Sequence, residues 1–156
     1  MKKLMIAALA MAAFGATDVA AQSVNGNATV NIPQVLSIAN ATDLAIAEDA
    51  FDLVSNATQT VTASTTVDTR GNVPHSVEVT GGALTLAGSN DLALEVQNAG
   101  GTWAAVGATA VTVLDATTLT RGVHAAQPIN FRTEADISKH GPGAYTGTIT
   151  YTVVAN

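Results

Sequence analysis

No cysteine occurs anywhere in this chain of 156 residues. Disulfide stapling is therefore excluded, and so is a lipid anchor on an N-terminal cysteine. Zinc would lose its commonest structural ligand, and His75, His124 and His140 stand too far apart in sequence to replace it. Basic residues are scarce: six, against twelve acidic ones, for a net charge of −6. Two of the six, Lys2 and Lys3, sit at the very start, and Arg70, Arg121, Arg132 and Lys139 are scattered. Counterion-release binding of nucleic acid needs a basic patch, so that partner is not expected, and neither is an anionic membrane surface. Aromatics make up only 4% of the residues. Beyond Phe14, the sequence offers Trp103, Tyr145, Tyr151, Phe51 and Phe131, most of which read as core. Sandwich folds can bring distant carboxylates together for glycoside hydrolysis. Sugar clefts, however, want aromatic platforms that this composition does not supply. No G-x-S-x-G elbow or other nucleophile context occurs. A non-catalytic protein without cofactor or metal is the expectation.

Long apolar runs are also missing, with one exception. Leu4–Phe14 is continuous apolar sequence behind Lys2-Lys3, and Val19-Ala20-Ala21 offers small residues for cleavage. That pattern is a secretory signal peptide over residues 1–21, too short to span a membrane as a mature helix. Residues 22–156 then form one domain, expected in the periplasm, at the cell surface or outside the cell. No membrane insertion is expected once the signal is removed. A chain of that length buries enough surface to fold without disulfides.

What remains is rich in Val, Thr, Ala and Gly, arranged as short alternating runs about ten residues apart. Such runs with Gly- and Pro-containing turns predict an all-β, immunoglobulin-like antiparallel β-sandwich. "NATVNI" and "VLSIAN" flank Pro33, which cannot donate to a ladder and so marks an edge or a change of sheet. "QTVTASTTV" sets Val61, Ala63 and Thr65 against Thr60, Thr62 and Ser64. "SVEVTGGALTL" suggests a tight hairpin at Gly81-Gly82. "DLALEVQ", "NAGG" and "TWAAV" suggest another with a longer turn, and "AVTVL" and "PINFRTEA" supply further strands. "TDLAIAEDAFDLV" reads either as one or two helical turns or as a short strand and a loop. Its acids, Asp43, Glu48, Asp49 and Asp52, lack calcium-loop spacing and read as a solvated loop. Asn27, Asn40 and Asn56 each begin an N-x-T sequon, a pattern that a Thr- and Asn-rich surface produces by chance.

The final run, "AYTGTITYTVVAN", alternates most strictly. Tyr145, Gly147, Ile149, Tyr151 and Val153 share one face, while Thr146, Thr148, Thr150 and Thr152 share the other. Residues 144–154 are expected to form a central or near-central strand, with Tyr145, Ile149, Tyr151 and Val153 facing the core.

"NATVNIPQVLSIANATDLAI" at one end and "GPGAYTGTITYTVV" at the other resemble the opening and closing segments of bacterial spore-coat-U-like fimbrial domains. "VDTRGNVPHSVEV" with "YTGTITYTV" is similar to segments of WxL-type cell-wall-binding domains, although His75 and Tyr151 stand where those carry Trp. The fimbrial resemblance implies a surface structural subunit, pilin-like or coat-like, with self-association or a periplasmic assembly chaperone as partner. The other implies a module for a cell-envelope glycan. In chaperone-dependent pilins an N-terminal extension completes a neighbour's sandwich as a donor strand. Val24, Gly26, Ala28, Val30 and Ile32 alternate as such a strand would. They read equally well as the first strand of a complete sandwich.

Overall fold

The computed structural model of the chain describes residues 29–47, 50–54 and 56–156. The expected signal peptide and three residues of the alternating segment, Val24, Gly26 and Ala28, lie outside them. The chain divides into two units, Met1–Ile32 and Pro33–Asn156. Residues 29–32, the described end of the first unit, form no strand.

The second unit is a β-sandwich. Its strands are β1 (Leu36–Ala39), β2 (Thr58–Gly71), β3 (His75–Gly81), β4 (Leu94–Gln97), β5 (Trp103–Ala105), β6 (Val111–Leu114), β7 (Gly122–Asp136) and β8 (Ile149–Ala155). One sheet has five strands in the order β1-β2-β7-β4-β5, the other three in the order β6-β3-β8. All the pairings are antiparallel. Thr42–Val54, open between helix and strand, carries no α-helix or strand among its described residues, and Leu44 packs against the core.

Period-two alternation explains the core. Thr65, Val67 and Thr69 of β2 and Ile129, Phe131, Thr133 and Ala135 of β7 are buried, and their odd-numbered positions point between the sheets. Val77 and Val79 of β3 and Leu94 and Val96 of β4 meet them from the other strands. Phe131 is fully buried and heads the set by size. Threonine takes several inward positions because its branched Cβ suits a strand and its hydroxyl finds an internal acceptor. Thr133 donates to Ala93 O at 2.6 Å.

The two suggested hairpins fared differently. β4 and β5 pair as expected, Gln97 opposite Trp103, across a turn in which Gly101 has a φ of 82°. Gly81-Gly82 is no hairpin. Gly81 ends β3, donates its N–H to Gly107 O, and pairs opposite Ile149. A Cβ on Gly81 would lie 2.7 Å from Thr148 O, so the glycine serves a close backbone approach and not a reversal.

The long β2–β7 ladder is broken once. Val67 faces Gln127, but Thr69 faces His124, so β7 carries one extra residue. Ala126 takes the left-handed conformation there, φ 50°, where glycine would be the ordinary choice. Asp68 holds it: its Oδ1 accepts the Ala126 N–H at 2.7 Å, and its Oδ2 accepts from Asn40 Nδ2 at 2.6 Å. Asn40, just past β1, is also left-handed, φ 52°. One carboxylate therefore fixes the bulge and the end of β1 together. The Ala126 N–H, and then the Asn40 side chain, hold the Asp68 carboxyl below its ordinary value.

Three outcomes follow for unfolding experiments. Phe131→Ala should cost about 3–5 kcal/mol, as buried aromatic truncations do. Ala126→Gly should be neutral or stabilising by up to about 1 kcal/mol, because relief of left-handed strain outweighs glycine's chain entropy. The stability linked to Asp68 is fully present above the unfolded carboxyl pKa, ~3.9, and is lost as pH falls through the lower folded value. Denaturant unfolding between about pH 2 and pH 5 should therefore show a shallower acid decline for Asp68→Asn than for the parent chain.

Candidate functional site

A sandwich of two open sheets has four edge strands, and proteins ordinarily blunt such edges. Here β1 and β6 have four residues each and β5 has three. β6 also receives the Ala99 N–H on Thr112 O, from the β4–β5 turn. β8 is different. It is seven residues long, ITYTVVA, with no charge and no proline. Among the described residues it pairs with β3 alone, from Ile149 opposite Gly81 to Ala155 opposite His75. The final strand is thus an edge and not the central strand expected, because β3 stands between β6 and β8 and gives β8 a single neighbour. It also starts later than expected. Thr146 forms only an isolated bridge with Thr85.

The faces of β8 alternate. Ile149, Tyr151 and Val153 are partly buried, and Thr150 and Thr152 are exposed. Ile149 and Tyr151 pack against the core, as do Ile38 of β1 and Leu44 beyond it. All four remain partly exposed, whereas Val77, Val79, Val96 and Phe131 are fully buried. The apolar lining of the sandwich is thus thinner at its outer strands, toward β1 and β8 as toward Val111 and Leu114 of β6. Across the sheets the Tyr151 hydroxyl meets Thr65 Oγ1 at 2.9 Å, and Thr65 is only 1% exposed. Burial raises the Tyr151 pKa above its ordinary value; the Thr65 hydrogen bond opposes the shift and the negative charge of Asp43 adds to it.

Tyr145 lies outside β8, in the preceding loop, with its hydroxyl 2.5 Å from Ser89 Oγ and donating to Gly141 O. Of the alternating N-terminal residues, Val30 and Ile32 are 83% and 78% exposed.

The other candidates resolve into structural roles. His75 is fully buried at the start of β3. Its Nδ1 lies 3.0 Å from Val73 O, to which it donates, and its Nε2 lies 3.0 Å from Thr69 Oγ1, so both ring nitrogens are satisfied within the fold. Trp103 is not core: it is partly buried, with the Arg132 guanidinium 4.7 Å from its ring centre. Arg132 also pairs with Glu95 at 2.5 Å, so the three residues brace β5, β4 and β7 on the outer sheet face. A polar hollow of about 230 Å³ lies between Asn98, Asp115 and Asn130. Asp115 is already engaged there by the Thr117 hydroxyl and the backbone N–H groups of Thr117 and Thr118. Among the described residues, no three His, Asp or Glu side chains converge as a metal site would require. No helix among them is long and apolar enough to cross a membrane.

Sequence reading did not find the edge itself, since alternation is the same for a central and an edge strand. The missing charge in ITYTVVA was the available signal.

Tyr151→Phe should cost about 1–3 kcal/mol, chiefly by leaving the buried Thr65 hydroxyl without its partner. Adding Thr65→Val to that variant should recover part of the loss in a double-mutant cycle. Because the folded Tyr151 pKa is raised, its linked stability holds below the unfolded value, ~10, and falls as pH rises through the folded one. Tyr151→Phe should lack that alkaline decline. Ile149→Ala should fall below the ~2–5 kcal/mol of a fully buried site, and Thr150→Ala should stay within about 1 kcal/mol.

No protein-family model and no curated protein sequence matches this chain.

Proposed function

We propose that the protein is a non-catalytic, secreted structural subunit of a surface filament or coat, assembled by β-strand complementation. β8 is the accepting edge, and the segment containing Val24, Gly26, Ala28, Val30 and Ile32 is the incoming strand. One observation carries this reading: β8 is a seven-residue edge with neither charge nor proline, beside an incompletely buried apolar lining. An added strand would give the unpaired backbone groups of β8 their partners and cover Ile149 and Tyr151. The small side chains of Gly26 and Ala28 suit close approach in the middle of such a strand. The same edge would need a guard before assembly, which a periplasmic chaperone strand supplies in chemically equivalent form.

The exported chain should form oligomers or fibres by size exclusion and electron microscopy, and deletion of residues 22–32 should abolish them. A synthetic peptide of residues 22–32 should bind the deleted protein and slow hydrogen exchange at β8 amides. A chain that stays monomeric, with the same β8 exchange after the deletion, would overturn this function. Retention on isolated cell walls without assembly would favour the envelope-glycan module instead.

A further inference from the structure

β4 is much shorter than the strand it pairs with. Its ladder with β7 reaches only to Val96 opposite Phe131, whereas β7 extends from there back to Gly122. Where the chain turns from β4 into β5, the flank of β7 is left without a neighbouring strand among the described residues. The hollow of about 230 Å³ opens at that place. Pro128, Ile129 and Asn130 of β7 line one side of it, and Gln97 and Asn98 a second. Asp115, just past the end of β6, lines a third.

The two turns that border the hollow are fixed. The Asn98 N–H donates to Thr102 O and the Gly101 N–H to Asn98 O, both at 2.8 Å. The Ala99 N–H, donating to Thr112 O at 3.0 Å, ties this turn to β6. At the other turn the Leu119 N–H donates to Asp115 O at 2.8 Å, and the Leu119 side chain is fully buried. Walls that need no reordering leave more of the contact energy for a ligand.

The polar groups on these walls are oriented and only half used. Asn130 Oδ1 accepts from Ser64 Oγ at 2.7 Å, and Asn130 Nδ2 donates to Gln97 Oε1 at 3.0 Å. Gln97 Nε2 donates to Gly101 O at 3.1 Å. Asn98 Oδ1 accepts the Thr102 N–H at 3.0 Å, and Asn98 Nδ2 donates to Thr102 Oγ1 at 2.6 Å. A side-chain amide carries two N–H groups and two lone pairs on its oxygen. Each of the three amides therefore keeps one N–H and one lone pair for a further partner. The Thr117 hydroxyl, then the Thr118 N–H, hold the Asp115 carboxyl below its ordinary value, so it is an acceptor with a full negative charge.

We infer that this hollow binds one uncharged sugar ring. A sugar hydroxyl both donates and accepts, which matches amides that offer both and a carboxylate that only accepts. The volume lies below the ~300–1,000 Å³ of pockets for drug-sized ligands, so it takes a single ring. Pro128 gives the C–H face of that ring an apolar contact, and a ring held through its hydroxyls needs no aromatic platform. No lining residue is basic and Asp115 is negative, so anionic ligands are disfavoured. The hollow belongs to β4, β6, β7 and their turns, so this inference stands or falls independently of strand complementation at β8.

Trp103 is the only tryptophan in the chain and pairs opposite Gln97, so its fluorescence reports on the rim of the hollow. Glucose, galactose and N-acetylglucosamine are titrated separately into the exported chain. At least one should change that fluorescence saturably and shift the side-chain amide NMR signals of Gln97, Asn98 and Asn130. Ala99→Leu, at an exposed position on the wall, should remove the response by filling the space. Asn130→Ala should weaken binding about threefold to tenfold, the effect of one or two neutral hydrogen bonds. Glucuronate should bind at least about tenfold more weakly than the best neutral sugar, because its carboxylate meets that of Asp115. No saturable response to any of the three neutral sugars would overturn the inference. So would a response unchanged by Ala99→Leu or by Asn130→Ala, or glucuronate binding as tightly as the neutral sugars.

Discussion

The β2–β7 ladder bears the rest of the structure. Fourteen- and fifteen-residue strands pair along nearly their whole length; β1 pairs with β2, β4 pairs with β7, and β5 follows on β4. Long ladders accumulate twist, and this one bends where β7 carries its extra residue opposite Asp68. The carboxylate takes up both consequences of the bend. It holds Ala126 in a conformation that alanine disfavours and anchors Asn40 at the exit of β1. The position of β1, and with it the thinly covered side of the sandwich, thus depends on a charge at the bulge. Pro128 fits the same ladder because β4 covers β7 only at Phe131–Thr133, leaving no ladder bond on that side for the missing N–H to make.

Three strands lie against five, and the mismatch decides where the sandwich is open. β3 is the centre of the smaller sheet and is packed on both flanks. β6 sits below the β4 side and receives a bond from the β4–β5 turn. β8 has β1 of the facing sheet as its neighbour on that side, but among the described residues it pairs with β3 alone. A seven-residue edge of Ile, Thr, Tyr and Val is a template for further pairing, and a folded protein carrying one either guards it or uses it. The proposed assembly is the use.

The candidate site was only half legible in the sequence. The alternation of Ile149, Tyr151 and Val153 against Thr150 and Thr152 gave the correct division of faces, because side-chain direction in a strand is a local property. Whether the strand had one neighbour or two was not local. His75 illustrates the same limit from the other direction. Lone histidines read as surface residues by type, and only the placement of Thr69 and Val73 around the ring makes burial satisfactory.

The sequence by itself determined the all-β class, the separation of buried from wet faces along β2, β7 and β8, and the β4–β5 turn. Each of these follows from spacing within a dozen residues. Gly81-Gly82 shows where that information stops. The pair permits a hairpin, but the space it leaves is used by the backbone of Thr148, sixty-odd residues later in the chain. Tertiary structure alone decided which strands are edges and that Asp68 holds the β7 bulge. Those outcomes depend on which residues meet across the sheets. Period-two alternation carries no record of a strand's neighbours, since the same face pattern satisfies any partner that brings a backbone and a matching apolar side.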